Sequence, residues 1–156
     1  MERTFKIIYT SDTHGHIFPV NYAAGCGESS GLLNLAAQID KNGNTLVLDG
    51  GDSLQGTPLV QYYLAHADEF PHHPVAEAFN AMGCDYFTLG NHDFNFGYDA
   101  LRAYLCAMDG VCLCANVQDL GGALPLLPET VHTLKNGLRI GITGIVTDYV
   151  NVWEQP

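Results

Sequence analysis

Three short stretches carry side chains that bind metals or move protons. Asp12-Thr13-His14 sets a carboxylate and an imidazole at i and i+2. In an extended segment that spacing puts both on one side, where they can grip one ion. Gly50-Gly51-Asp52 presents an acid after a turn of two glycines, which suggests close backbone approach or unusual dihedrals. Asp49 lies just upstream, and the spacing leaves open which of the two acids is free to act. Gly90-Asn91-His92-Asp93 offers three such groups in succession. An Asn carbonyl can ligate a metal, a His can ligate or transfer a proton, and an Asp can do either or orient a neighbour. Each stretch alone is weak evidence, since D-x-H is equally a turn aspartate beside an exposed histidine.

The segments that precede them must do the positioning. Residues 5–10, 45–49 and 85–89 read as strands, and each cluster follows a strand's carboxyl end, where open α/β sheets keep their ligands. Residues 5–10 are nearly all apolar apart from Lys6, which predicts a first strand buried on both faces. A helix is expected over 30–41, capped by Ser30, with Leu32, Leu35, Ala36 and Ile39 inward and Gly43 as its stop. Thr57-Pro58 opens a second, with Leu59, Tyr62, Tyr63 and His66 on its apolar side. Val75, Ala78, Phe79 and Met82 form a third stripe, ended by Gly83. A fourth helix spans 98–108 with Leu101, Tyr104, Leu105 and Met108 inward, before a strand at 111–115 with Asn116 at its end. Residues 121–128 read as a loop. Asn136-Gly137 between 130–135 and 138–145 signals a hairpin. Thr147-Asp148 then stands where another ligand could be offered, and no terminal element is expected after it. The alternation predicts an α/β fold: a mostly parallel sheet flanked by helices, plus a C-terminal hairpin.

Composition narrows the classes. A chain of 156 residues supports one domain with a real core. Apolar content of 47% against 15% charged residues argues for a globular protein. A net charge of −11 argues against a basic surface for nucleic-acid polymers, although bound cations would still admit phosphate. No apolar run approaches the roughly 20 residues that span a membrane. The five cysteines suggest no disulfide framework, and residues 1–4 lead straight into the first strand without a leader, so a cytoplasmic location is expected. Cys112 and Cys114 share one face of their strand and read as core. His72-His73-Pro74 looks like a metal cluster, but His73 precedes a helix-starting proline and is expected in a polar surface loop.

Taken together, D-x-H, G-D-x-x-x-G and G-N-H-D in this order resemble the calcineurin-like metallophosphoesterases. The stretches Gly51-Asp52-Ser53-Leu54-Gln55-Gly56-Thr57-Pro58 and Gly90-Asn91-His92-Asp93-Phe94-Asn95-Phe96-Gly97 are similar to the 5′-nucleotidase and 2′,3′-cyclic-nucleotide 2′-phosphodiesterase branch. The resemblance implies a layered metallophosphoesterase fold and a site of two divalent metal ions, Mn, Zn, Co or Fe. Asp12 and His14 would hold the first, Asp52 would bridge both, and Asn91 would bind the second. His92 would hydrogen-bond phosphate or protonate the leaving oxygen. Two such cations roughly 3.5–4 Å apart clamp the attacking and leaving oxygens of an in-line displacement.

Two departures qualify the resemblance. Many 5′-nucleotidases carry an acid three residues after the histidine to orient it, and here that position is Asn95. An amide still fixes the ring, and Asp93 is an alternative orienter. The G-N-H-x-F-N form leans toward the cyclic-nucleotide phosphodiesterases. The family also completes its site with later histidines in G-H and H-x-H or H-x-Q contexts, and His66, His72, His73 and His132 match neither. Residues 1–156 are therefore expected to be the N-terminal portion of such a domain, without the nucleotide-binding C-terminal domain. The expected substrate is a small nucleotide phosphoester, and the portion alone would turn it over poorly. The rival readings are a non-catalytic metal- or nucleotide-binding module and a subunit completed by another chain. Self-association through apolar surface left by missing strands is also expected.

Overall fold

The structure, a computed structural model, describes residues 2–154. Its elements in order are β1 (Lys6–Thr10), β2 (Val20–Asn21), β3 (Cys26–Gly27), α1 (Leu32–Ala36), β4 (Thr45–Asp49), α2 (Pro58–Ala65), α3 (Pro74–Met82), β5 (Tyr86–Phe87), α4 (Gly97–Ala107), β6 (Val111–Leu113), β7 (Leu126–Leu127), β8 (Glu129–Thr133), β9 (Arg139–Thr143) and α5 (Val150–Trp153). Five strands form one parallel sheet in the order β1-β4-β5-β6-β7. Thr10, Asp49, Phe87 and Cys112 lie in one row across it, so the carboxyl ends of four strands share an edge. Helices connect β1, β4, β5 and β6 in turn, a helix-free segment leads from β6 to β7, and β8 and β9 make the expected antiparallel hairpin.

The core sits between sheet and helices. Val47 and Phe87 of the sheet pack in one cluster with Val60 of α2, Phe79 and Met82 of α3, and Leu101 and Tyr104 of α4. The α3 stripe is buried as its spacing predicts, and Gly83 ends the helix in the left-handed conformation at φ 68°. That conformation is cheap for glycine because there is no Cβ to collide with the carbonyl. Cys84, Cys112 and Cys114 are buried, whereas Cys26 and Cys106 are exposed, and all five are free. Burial pushes the Cys84 thiol up to about 12, which keeps it inert.

Several local expectations are corrected. Burial on both faces describes β4, whose Leu46 and Val47 are inaccessible, but not β1. There Ile7 is 48% and Tyr9 63% exposed, because β1 lies at the edge of the sheet with one face uncovered by the described residues. α1 is much shorter than expected. Gly31, not Ser30, is its N-cap, and it ends at Ala36, well before Gly43. Thr57 does cap α2, accepting from the Val60 N–H, but the inward face is rotated: Val60 and Tyr63 are buried and Tyr62 is exposed. His73 is not in a surface loop. It is buried, packs against Tyr63 and Tyr104, and caps α3 through Nδ1. The stretch 121–128 contains β7, and the chain closes with the short α5.

A candidate metal centre at the carboxyl edge of the sheet

The loops after β1 and β4 are zipped together by their backbones. The Asp12 N–H donates to Gly51 O and the His14 N–H to Asp52 O, both at 2.9 Å. This pairing brings Asp12, His14 and Asp52 to one point, where each offers a ligand atom within 4.8 Å of the others. The same three residues are the non-glycine positions with positive φ among the described residues, at 53°, 47° and 58°. Side chains rarely adopt this left-handed region, and such strain concentrates at functional sites. His14 Nδ1 lies 2.7 Å from Gln55 O. A carbonyl only accepts, so Nδ1 carries the proton and Nε2 is left as the ligand atom.

The loop after β5 packs directly on this pair. A Cβ on Gly51 would come 2.2 Å from Gly90 N, and one on Gly90 would come 2.1 Å from Asp52 Oδ1. Only glycine at both positions allows this approach. The 3-10 turn Asn91–Phe94 begins there. The His92 N–H donates to Asp52 Oδ1 at 2.8 Å, and the His92 ring stands 5.4 Å from that of His14. Asn91 thus opens the turn beside the cluster, next to Gly90.

Two acids brace the loops. Asp93 is buried at 1% exposure. Its Oδ1 accepts from the N–H groups of Ser53 and Leu54, and its Oδ2 from those of Asp52 and Gly90. Burial pushes its carboxyl pKa up, and these four donors oppose the shift. Asp93 therefore does not orient His92, contrary to the alternative raised above; it ties the second loop to the third. Asp49 is also a brace. Its carboxylate accepts from Thr10 Oγ1 at 2.6 Å, from the Gly51 N–H and from Ser53 Oγ, and burial raises it to about 6. That leaves Asp52 as the acid of this loop that joins the cluster.

His92 Nδ1 lies 2.8 Å from Asn95 Oδ1. Asn95 Nδ2 donates in turn to Glu154 Oε1, a contact for which the sequence carries no signal. The other histidines lie outside the ligand cluster: His16 neighbours Tyr22, His66 stacks on Tyr62, His132 meets the Tyr86 hydroxyl, His72 faces Glu77 and His73 is in the core. Asp148 does not reach the cluster either. Asn116 instead clamps Val146, accepting from its N–H and donating to its carbonyl. One acid-rich point with a fixed imidazole suits a divalent metal cation that accepts mixed nitrogen and oxygen ligands.

A parallel α/β sheet with such a cluster on its carboxyl edge defines an α/β protein with a candidate metal centre in its strand-to-helix loops. More specifically, the chain belongs to the calcineurin-like phosphoesterase family, which it matches over residues 5–154. It is 30% identical to the trifunctional nucleotide phosphoesterase protein YfkN of Bacillus subtilis over 96% of this chain and 12% of that protein. It is also 30% identical to the 2′,3′-cyclic-nucleotide 2′-phosphodiesterase/3′-nucleotidase of Salmonella typhimurium, over 96% of this chain and 26% of the relative. The crystal structure of the calcineurin-like phosphoesterase YfkN from Bacillus subtilis superposes with a TM-score of 0.79 at 31% identity, covering 94% of this chain and 49% of that one. The chain thus spans about an eighth to a quarter of these curated relatives.

Proposed function

We propose that this chain carries the first set of ligands of a two-metal hydrolase acting on nucleotide phosphoesters, of the 5′-nucleotidase or 2′,3′-cyclic-nucleotide phosphodiesterase type. The observation that carries the reading is the convergence of Asp12, His14 and Asp52 beside the His92 ring. When bound, two divalent cations would supply Lewis-acid stabilisation of the phosphate oxygens and a more acidic water. Asp12 and His14 would hold one ion, Asp52 both and Asn91 the other. His92 is tied at Nδ1 to Asn95, so Nε2 is the atom free to face substrate, and as the imidazolium it would donate to a phosphate oxygen or protonate the leaving oxygen. Further ligands would come from chain beyond these 156 residues, a reading supported by the small share of its relatives that the chain spans.

The test is hydrolysis of 2′,3′-cyclic AMP and AMP with Mn²⁺ by this chain and by a version extended to the length of its relatives. Each is measured beside Asp52→Asn. Metal-dependent turnover by the extended version, lost in Asp52→Asn, is expected. Turnover that survives Asp52→Asn overturns the site. Equal turnover by the short chain overturns the need for further ligands.

A further inference from the structure

Asn95 is exposed, so packing alone does not fix its amide. An amide presents an acceptor on one side and a donor on the other, and a half-turn exchanges them. Which side faces His92 decides which ring nitrogen carries the proton. If Oδ1 faces the ring, Nδ1 must be protonated and Nε2 is directed to chemistry with its lone pair or a second proton. If the amide turns over, Nδ1 becomes the acceptor and Nε2 is pinned as N–H in the neutral ring.

We infer that Glu154 is a positioning residue for His92, acting through Asn95. A carboxylate only accepts, so Glu154 Oε1 demands the Nδ2 side of the amide and leaves Oδ1 for His92 Nδ1. Turning the amide over would set two acceptors face to face at Glu154, and at the ring would set the Nδ2 donor against Nδ1–H unless the ring proton moved to Nε2. The chain delivers Glu154 by a defined route. Ala115 N–H donates to Gly144 O, and a Cβ on Gly144 would lie 2.1 Å from Leu113 O and 2.4 Å from Thr88 Oγ1. The strand leaving the hairpin therefore crosses the carboxyl ends of β5 and β6 in close contact. The Asn116 clamp on Val146 then turns it toward α5, whose last turn is closed by the Glu154 N–H to Val150 O bond. Asn95 and Glu154 both line a cavity of about 910 Å³, so water reaches the pair and would compete for the amide if the carboxylate were absent. Where an acid contacts the histidine directly, the tautomer needs no second partner. Here the amide is neutral and ambiguous, and the acid stands one bond further out.

This inference deepens the role proposed for His92, but its test does not need turnover. The ¹⁵N shifts of the His92 ring in the metal-free chain read its tautomer directly. The parent is expected to be Nδ1–H. Glu154→Ala should raise the Nε2–H fraction at least tenfold, and Glu154→Gln, an amide that can turn either side to Asn95, should raise it as well, whereas Glu154→Asp, which still only accepts, should stay nearer the parent. Asn95→Asp should abolish the effect of Glu154→Ala, because a carboxylate beside His92 has no wrong side. Ring shifts unchanged by Glu154→Ala, or by Glu154→Gln, overturn the inference. A phosphoesterase assay that failed while these shifts behaved as expected would count against the proposed reaction alone.

Discussion

Asp93 Oδ1 accepts the backbone N–H of Ser53 at 2.8 Å, across 40 residues of chain. With the bonds from Asp52, Leu54 and Gly90, this makes the residue after His92 a splice between two loops. Replacing Asp93 with alanine would strand four backbone donors at once. Each orphaned buried donor costs about 1–3 kcal/mol, and water entering the cavity offsets only part of it. Asp93→Ala should therefore lose at least ~3 kcal/mol in urea unfolding. A midpoint equal to the parent's would show that the splice is dispensable.

Gly90 has an ordinary extended backbone, φ −96° and ψ 177°, so any residue could adopt its conformation. What excludes a side chain is Asp52 Oδ1, 2.1 Å from where a Cβ would sit. Gly90→Ala should push the loops apart at a cost of about 1–3 kcal/mol. Mn²⁺ affinity, read by calorimetry, should fall at least about tenfold. Retained affinity with reduced stability would mean that the loops shift together.

The buried His73 predicts an acid sensitivity. Burial lowers its pKa from 6.5 to about 4. Between those values the unfolded chain binds the proton and the folded chain does not, so stability falls as pH drops through this window. The full difference is about 3 kcal/mol by pH 4, from the free energy of one pKa unit. Asn is a good N-cap and does not titrate, so His73→Asn should flatten that part of the pH profile of the urea midpoint. Parallel profiles for the two proteins would refute the assignment. Asp49 acts with the opposite sign. Its raised value, about 6, contributes stability below the ordinary carboxylate range that is lost as pH rises past 6.

Asp12 tests the ligand cluster without disturbing the core, since it is exposed. Asparagine tolerates its positive φ as aspartate does and removes one of two clustered negative charges. The metal-free Asp12→Asn chain should be at least as stable as the parent. Mn²⁺ at 100 times its dissociation constant should stabilise the parent by about 2.7 kcal/mol, and the variant far less. Equal thermal shifts in both would exclude Asp12 as a ligand.

The sequence made some of this legible and hid the rest for physical reasons. β4, α3 and the Asn136-Gly137 hairpin are visible because local pattern and tertiary burial agree there. The exposure of Tyr9 was not readable, because an edge strand and a central strand share the same apolar run. The capping role of His73 is hidden in the sequence because its polar neighbours on one side mask the apolar stripe on the other. The convergence of Asp12, His14 and Asp52 followed from their strand ends, since parallel topology carries such ends to one edge. The tasks of Asp93 and Glu154 did not follow, because each depends on a backbone or side chain that only folding brings near.

The left-handed backbone at Asp12, His14 and Asp52 has a consequence for anyone who diversifies this protein. At all three positions the main chain would be more comfortable with glycine, which adopts positive φ freely. A library ranked by heat resistance alone would drift toward glycine there and enrich robust, inert scaffolds. Selection must therefore reward metal capture in every round.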